Sequence, residues 1–112
     1  MLIYHNPRCR KSREGLAILK ESNQDIEIVE YLKNPPTQDE LTLIIKKLQI
    51  RPIELVRKNE AIWKEFYKGK ELSDEQIVKA MVENPKLIER PIVITDNKAI
   101  VGRPPEIIKT IF

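Results

Sequence analysis

The chain has 112 residues, 41% of them hydrophobic, which suits one domain spanning residues 1–112. Its 20 basic and 17 acidic side chains leave a net charge of +3, which is too small to indicate a nucleic-acid partner by itself. Cys9 is the only cysteine, so an internal disulfide is excluded and a reducing compartment, the cytoplasm, is favoured. No apolar run is long enough to cross a bilayer, and no signal peptide begins the chain, so we expect no membrane partner. One cysteine and one histidine predict no metal site.

The first third of the chain predicts a strand–helix–strand unit. Leu2–Tyr4 is a short apolar run typical of a strand, and the proline-free run 13–21 that follows favours a helix. Residues 26–31 alternate and are rich in β-branched side chains, which predicts a second strand. Such a unit predicts parallel pairing through a right-handed crossover. Asn34-Pro35-Pro36 then interrupts regular structure.

The middle of the chain, about residues 37–84, predicts a block of helices. Residues 37–40 and 73–76 are capping boxes, and each precedes apolar residues at helical spacing. Between them, Pro52 suits the first turn of a short helix, and residues 61–69 suggest another helical piece. The apolar stripes of these helices are interpreted as core rather than as a ligand groove.

Strands return near the end of the chain. Residues 92–95 and 99–101 are apolar and β-branched, and Asp96-Asn97, which tolerate positive φ, predict the turn between them. Pro104-Pro105 precedes a last predicted helix over 106–111. The order is therefore β-α-β, helical block, β-β-α, which indicates an α/β fold.

The segment from Tyr4 to Arg13 contains the only histidine and the only cysteine. Cys9 lies where the first strand passes to the first helix, and the free N–H groups and dipole of a helix N-terminus stabilise an anion there. Four of the six residues from Arg8 to Arg13 are basic, which also lowers the pKa of a thiol. A buried structural cysteine fits poorly beside Arg8 and Arg10, because arginines resist burial. We therefore predict a reactive thiolate, whereas a lone histidine such as His5 more often makes an ordinary structural hydrogen bond.

Three further segments complete a recognisable pattern. Residues 5–13 resemble the active-site loop of the glutaredoxin-linked arsenate reductase family. Residues 89–93 and 102–106 resemble the two later signatures of that family, and 55–57 lie where the family carries another arginine. The resemblance covers the whole chain in the same order. It implies a thioredoxin-like fold with a mixed four-stranded sheet and helices inserted between the second and third strands.

The resemblance also implies an activity, which is the reduction of arsenate to arsenite. Glutathione would be a co-substrate, glutaredoxin a partner, and no bound cofactor would be needed. Cys9 would be the nucleophile, and His5 and Ser12 would support its thiolate. Since the chain has no second cysteine, the second sulfur must come from another molecule. We expect a monomer.

Three arginines would bind the oxyanion by the same resemblance, namely Arg57, Arg90 and Arg103. Guanidinium groups match the paired oxygens of a tetrahedral oxyanion better than lysine does. Each arginine also has an ordinary explanation, because Arg57 could meet the negative end of its short helix and the other two could be solvated loop charges. Pro91, which enters the third strand beside the cysteine, is expected to follow a cis peptide bond.

Other functions remain open from the sequence. Arg10-Lys11 follow Cys9 where the best-known reductases carry small uncharged residues. The cysteine and the arginines would serve arsenate, a phosphate-like anion or an acidic thiol, so a general glutathione-dependent thiol oxidoreductase is the first alternative. An Spx-type transcription regulator shares the fold but usually carries a Cys-x-x-Cys switch. Ser12 occupies the second position of that motif, which excludes an intramolecular disulfide switch.

Overall fold

The computed structural model describes residues 1–111 and contains four strands, four α-helices and three 3₁₀-helices within that part of the chain. The strands are β1 (Leu2–Tyr4), β2 (Glu27–Val29), β3 (Ile92–Ile94) and β4 (Ala99–Val101). The α-helices are α1 (Arg10–Glu21), α2 (Gln38–Leu48), α3 (Ala61–Phe66) and α4 (Asp74–Glu83). The 3₁₀-helices are Pro52–Leu55, Pro85–Leu87 and Pro105–Ile111.

The four strands form one mixed sheet in the order β2-β1-β3-β4. β1 pairs in parallel with β2 and antiparallel with β3, so Ile3 lies between Ile28 and Val93, and β3 pairs antiparallel with β4. This topology is the thioredoxin-like sheet that the sequence predicts. Because β1 and β2 are parallel, the loops that follow Tyr4 and Val29 leave the sheet at the same edge.

The sheet is covered on both faces, since alternate strand residues point to opposite sides. On one face, Ile3 and Val93 pack with Leu19 of α1 and Ile108 of the last 3₁₀-helix, all fully buried. On the other face, Tyr4, Ile92 and Ile94 pack against the helical insertion. The core on that side includes these helical residues: Leu41, Ile44, Ile45, Ile77, Val78 and Met81.

Local signals set the ends of the helices. Thr37 Oγ1 accepts a 3.1 Å hydrogen bond from the Glu40 N–H at the start of α2, and Ser73 Oγ accepts one of the same length from Gln76 at the start of α4. Both capping boxes that the sequence predicts are complete. The helix expected over 106–111 is instead a 3₁₀-helix that begins at Pro105.

Two other expectations are corrected. β2 ends at Val29 rather than at residue 31, because the Glu30 C=O accepts hydrogen bonds from the N–H groups of Lys33 and Asn34, each 3.0 Å long, and the chain turns. β3 ends at Ile94 rather than at residue 95, because the Thr95 N–H donates to the Lys98 C=O at 2.8 Å and closes the turn, which lies at residues 96–97 as predicted. Within residues 1–111, no helix is both long enough and apolar enough to span a membrane.

Candidate active site

Cys9 is the N-cap residue of α1, in an extended conformation with φ −96° and ψ 121°. The preceding residues form a tight turn, in which the Cys9 N–H donates to the Asn6 C=O at 3.0 Å. The Arg13 N–H then donates to the Cys9 C=O at 3.0 Å, which closes the first turn of the helix. The helix therefore begins three residues earlier than the sequence analysis predicts, at Arg10, and the half-buried thiol lies directly at its N-terminus.

The surroundings of Cys9 lower the pKa of its thiol. Partial burial, the largest single effect, raises the pKa. The backbone N–H groups of Ser12 and Lys11 and the charge and hydrogen bond of Arg90 together outweigh that effect. Arg90 is remote in sequence, whereas the neighbouring Arg10 is largely exposed and pairs with Glu14 at 3.0 Å. The cation that supports the thiolate thus comes from another loop, not from the basic run around Cys9.

We expect the rate of Cys9 alkylation by iodoacetamide to rise with pH around a midpoint below about 8.5, the ordinary value for cysteine. The control is the same chain in concentrated urea, where the helix N-terminus and Arg90 are lost and the midpoint should return to about 8.5. Because the folded-state pKa is the lower one, the thiolate adds stability that is complete above the unfolded-state pKa and is lost as the pH falls through the folded-state pKa. Equal midpoints in the two states would contradict this prediction.

His5 and Ser12 are both buried beneath the loop that carries Cys9. His5 Nδ1 and Ser12 Oγ lie 2.6 Å apart, and the Asn6 N–H donates to the same hydroxyl at 3.0 Å. Burial is the largest of the effects that lower the pKa of His5, and Lys20 and Arg13 add to it against the opposing charge of Glu30. The ring is therefore neutral at neutral pH, and its tautomer decides which group donates. The serine hydroxyl ties the start of the loop to the first turn of α1.

The three predicted arginines reach one cavity from three separate segments. Arg57, Arg90 and Arg103 all line a depression of about 320 Å³. A short backbone pairing brings the first two segments together, because the Arg57 N–H donates to the Leu87 C=O at 2.7 Å and the Glu89 N–H to the Leu55 C=O at 2.9 Å. The Arg103 guanidinium donates to the Arg90 C=O at 3.3 Å.

Glu89 is a further residue of this cluster that sequence reasoning left without a role. Its carboxylate lies 3.0 Å from the Arg90 guanidinium and 3.5 Å from that of Arg103. Arg57 pairs instead with Glu60 at 3.6 Å. The sequence carried a signal for this role, because Glu89 directly precedes Arg90 within the segment 89–93 that resembles a family signature. Among buried side-chain polar atoms of residues 1–111, only the Nε of Arg90 has no hydrogen-bond partner.

Pro91 is buried between the cluster and the sheet. The Arg90–Pro91 bond is cis, as expected, and the Arg103–Pro104 bond is also cis, which the sequence analysis did not anticipate. Two glycines pack closely on Pro91, since a Cβ built at Gly15 or Gly102 would lie 3.0 Å from its Cγ and 2.7 Å from Ile108 Cδ1. These contacts hold α1, β4 and Pro91 together behind the cysteine.

The part of the chain that the structure describes contains no group of three or more histidine, cysteine or acidic residues able to hold a metal ion. The reactive groups of the site are one thiol at a helix N-terminus and the arginine-lined depression that contains Arg90. With the mixed sheet, these features define a thioredoxin-like protein with a single cysteine whose pKa is lowered.

A family model described as the ArsC family matches residues 4–111, and the chain belongs to that family. The chain is 48% identical to the uncharacterized protein YfgD of Escherichia coli K12, over 93% of this chain and 89% of that protein. It is 42% identical to an arsenate reductase of Haemophilus influenzae, over 95% of this chain and 93% of that protein. A solved arsenate reductase from Vibrio cholerae superposes with a TM-score of 0.94 and 41% identity, covering 99% of this chain and 96% of the other.

Proposed function

We propose that this protein is an arsenate reductase that uses the Cys9 thiolate and draws electrons from glutathione and glutaredoxin. The observation that carries the proposal is the position of Arg90, which lowers the pKa of the Cys9 thiol and lines the same depression as Arg57 and Arg103. A nucleophile and an oxyanion-binding group are thereby within reach of one bound anion. The relatives named arsenate reductase support the same substrate.

In the proposed reaction, the Cys9 thiolate attacks the arsenic(V) of bound arsenate and displaces one oxygen, which leaves as water after protonation. A glutathione thiolate then attacks the Cys9 sulfur of this adduct. The sulfur–arsenic bond breaks, its electron pair passes to arsenic, and arsenite leaves. Cys9 is left in a mixed disulfide with glutathione, which glutaredoxin reduces. Arsenate gains two electrons, and two thiols lose one each.

The arginines serve this scheme by binding the anion and stabilising its charge as the oxygen leaves. His5 and Ser12 act as positioning residues, because their hydrogen bonds hold the loop that presents Cys9. The thiolate itself is stabilised by the Ser12 backbone N–H rather than by the hydroxyl. We assign the reaction to a monomer in the cytoplasm, where external thiols remain reduced.

The proposed function predicts that arsenate reduction requires an added thiol. In a coupled assay containing arsenate, glutathione and glutaredoxin, omission of both thiol sources should abolish turnover, because the chain holds only one sulfhydryl. Mass spectrometry should then find glutathione on Cys9 when glutaredoxin alone is omitted, and Cys9→Ser is the matched control that cannot form the adduct. Steady turnover without any added thiol would contradict the scheme.

The second candidate is a general glutathione-dependent thiol oxidoreductase. It is favoured by the exposed cations at Arg10 and Lys11, which would suit an acidic thiol substrate approaching Cys9. The same assay separates the two, since this candidate predicts reduction of mixed disulfides with glutathione at a rate that arsenate does not change. An Spx-type regulator would bind RNA polymerase, and a binding assay with polymerase tests that reading.

A further inference from the structure

Tyr31 is a buried tyrosine at the edge of the sheet where Cys9 lies. It follows β2, and the turn at Glu30 that ends this strand directs it inward, so that only 1% of it is exposed. Its ring stacks on that of Tyr4 with centroids 6.2 Å apart and an angle of 15°. Since Tyr4 ends β1, immediately before the loop that carries Cys9, the tyrosine pair links the rigid sheet to that loop.

The charged side chains around Cys9 influence the pKa of Tyr31. Burial, the largest effect, raises the pKa of Tyr31 to about 12, while Arg90 and Arg57 lower it and Cys9 and Glu89 raise it further. The pKa of Tyr31 therefore depends on the thiol and on two of the three arginines. At any physiological pH its O–H is intact and can donate a hydrogen bond.

The hydroxyl also has room for an acceptor. Tyr31 and Arg57 line a cavity of about 240 Å³ together with Asn6 and Arg8 of the Cys9 loop. This cavity is separate from the depression that contains Arg90 and Arg103, and Arg57 lines both. Among residues 1–111, no group forms a hydrogen bond with the Tyr31 hydroxyl, and this oxygen is not among the buried polar atoms without a partner. It therefore reaches the cavity surface. By contrast, the hydroxyl of Tyr67 is occupied by a 3.2 Å bond from the Asn84 amide.

We propose that Tyr31 is a substrate-positioning residue whose O–H donates a hydrogen bond to an oxyanion bound by Arg57. The identity of the anion in this inference rests on the proposed function. Its location rests on the cavity that Tyr31 and Arg57 line. A neutral donor complements the arginines, because it orients one oxygen without adding a charge. The stacked Tyr4 ring fixes the direction of that donor before the anion arrives.

The test compares Tyr31→Phe with Tyr4→Phe, which removes an equivalent hydroxyl from the other ring of the stacked pair. The pKa of Tyr4 is raised by burial and by Glu40, and none of the groups around Cys9 contributes to it.

The readout is protection of Cys9 against iodoacetamide by inorganic phosphate and by arsenate, measured without any thiol. Tyr31→Phe should raise the half-protecting anion concentration by about tenfold or more, which corresponds to losing one hydrogen bond to a charged group. Tyr4→Phe should leave it within about twofold.

The variants also separate this role from a structural one. The pH midpoint of Cys9 alkylation without anion should be the same in Tyr31→Phe and in the wild type. If Tyr31→Phe leaves the protection of Cys9 by anions unchanged, the proposal is overturned. If the pH midpoint of Cys9 alkylation shifts as well, the hydroxyl acts on the sulfur instead of on the anion. In the wild type, added phosphate should perturb the near-ultraviolet absorption of tyrosine, a signal that Tyr4→Phe keeps. Absence of that perturbation would also overturn the proposal, even if Tyr31→Phe failed to fold.

Failure of the arsenate assignment would look different. If the wild type reduces no arsenate but phosphate protection still depends on Tyr31, the substrate is wrong and the role of Tyr31 stands. If neither anion protects Cys9 in the wild type, there is no oxyanion for Tyr31 to orient, and the proposal falls.

Discussion

Arg90→Lys is expected to lower kcat/KM for arsenate by about 10- to 150-fold, corresponding to the loss of roughly 1.5–3 kcal/mol from a charge-assisted hydrogen bond. Arg90 should matter most of the three arginines because its side chain is 13% exposed, against 26% for Arg57 and 36% for Arg103. It is also the one that acts on the Cys9 sulfur. Lysine keeps the charge but offers a single ammonium in place of the planar fork, so it should not restore activity.

A second measurement on the same variants distinguishes anion binding from thiol activation. Arg90→Lys should raise the pH midpoint of Cys9 alkylation, whereas Arg57→Lys and Arg103→Lys should lower arsenate turnover without changing that midpoint. Effects of paired substitutions should be less than additive, since all three groups act on one anion. Arg51→Lys is the matched control, because Arg51 is 75% exposed and pairs with Asp74 at 3.5 Å, away from the site. The oxyanion site would be wrongly assigned if all three site variants reduced arsenate as fast as this control.

Ser12→Ala is expected to lower the free energy of unfolding by about 2–4 kcal/mol, because it leaves the buried His5 ring and the partly buried Asn6 N–H without their partner. The Asn6 N–H loses its 3.0 Å acceptor, and His5 Nδ1 loses its 2.6 Å contact. Ser12 is fully buried, so water cannot readily replace its hydroxyl. These bonds also tie the Cys9 loop to α1. Without them, the pH midpoint of Cys9 alkylation should rise toward its value in the unfolded chain.

Urea unfolding measures the stability part of this prediction. Thr42→Ala is the matched control, because Thr42 also lies in a helix and its exposed hydroxyl donates to the Gln38 C=O at 2.8 Å. Its effect should stay within about 0.5 kcal/mol, as is typical of surface positions. A loss no larger in Ser12→Ala than in this control would show that the serine hydroxyl does not hold the loop.

The sequence alone determined those features that short-range chemistry encodes. Thr37 and Ser73 begin their helices because each offers a side-chain acceptor three residues before a glutamate or glutamine that reaches back. β4 spans Ala99–Val101 as predicted, since a short apolar run next to a turn favours a strand. The position of Cys9 at a helix N-terminus follows from the same kind of local pattern.

Only the tertiary structure decided which groups meet at the cysteine. The sequence places four basic residues around Cys9, yet Arg10 points into solvent toward Glu14, and the charge that reaches the sulfur belongs to Arg90. Likewise, Tyr31 was expected inside β2, but the hydrogen bonds of the turn at Glu30 end the strand before it, and its buried ring stacks on Tyr4. Exposed cations are free to turn toward water, where their field is screened. A guanidinium held by packing in a half-buried cluster cannot turn away, and packing between segments far apart in the chain cannot be seen in local sequence.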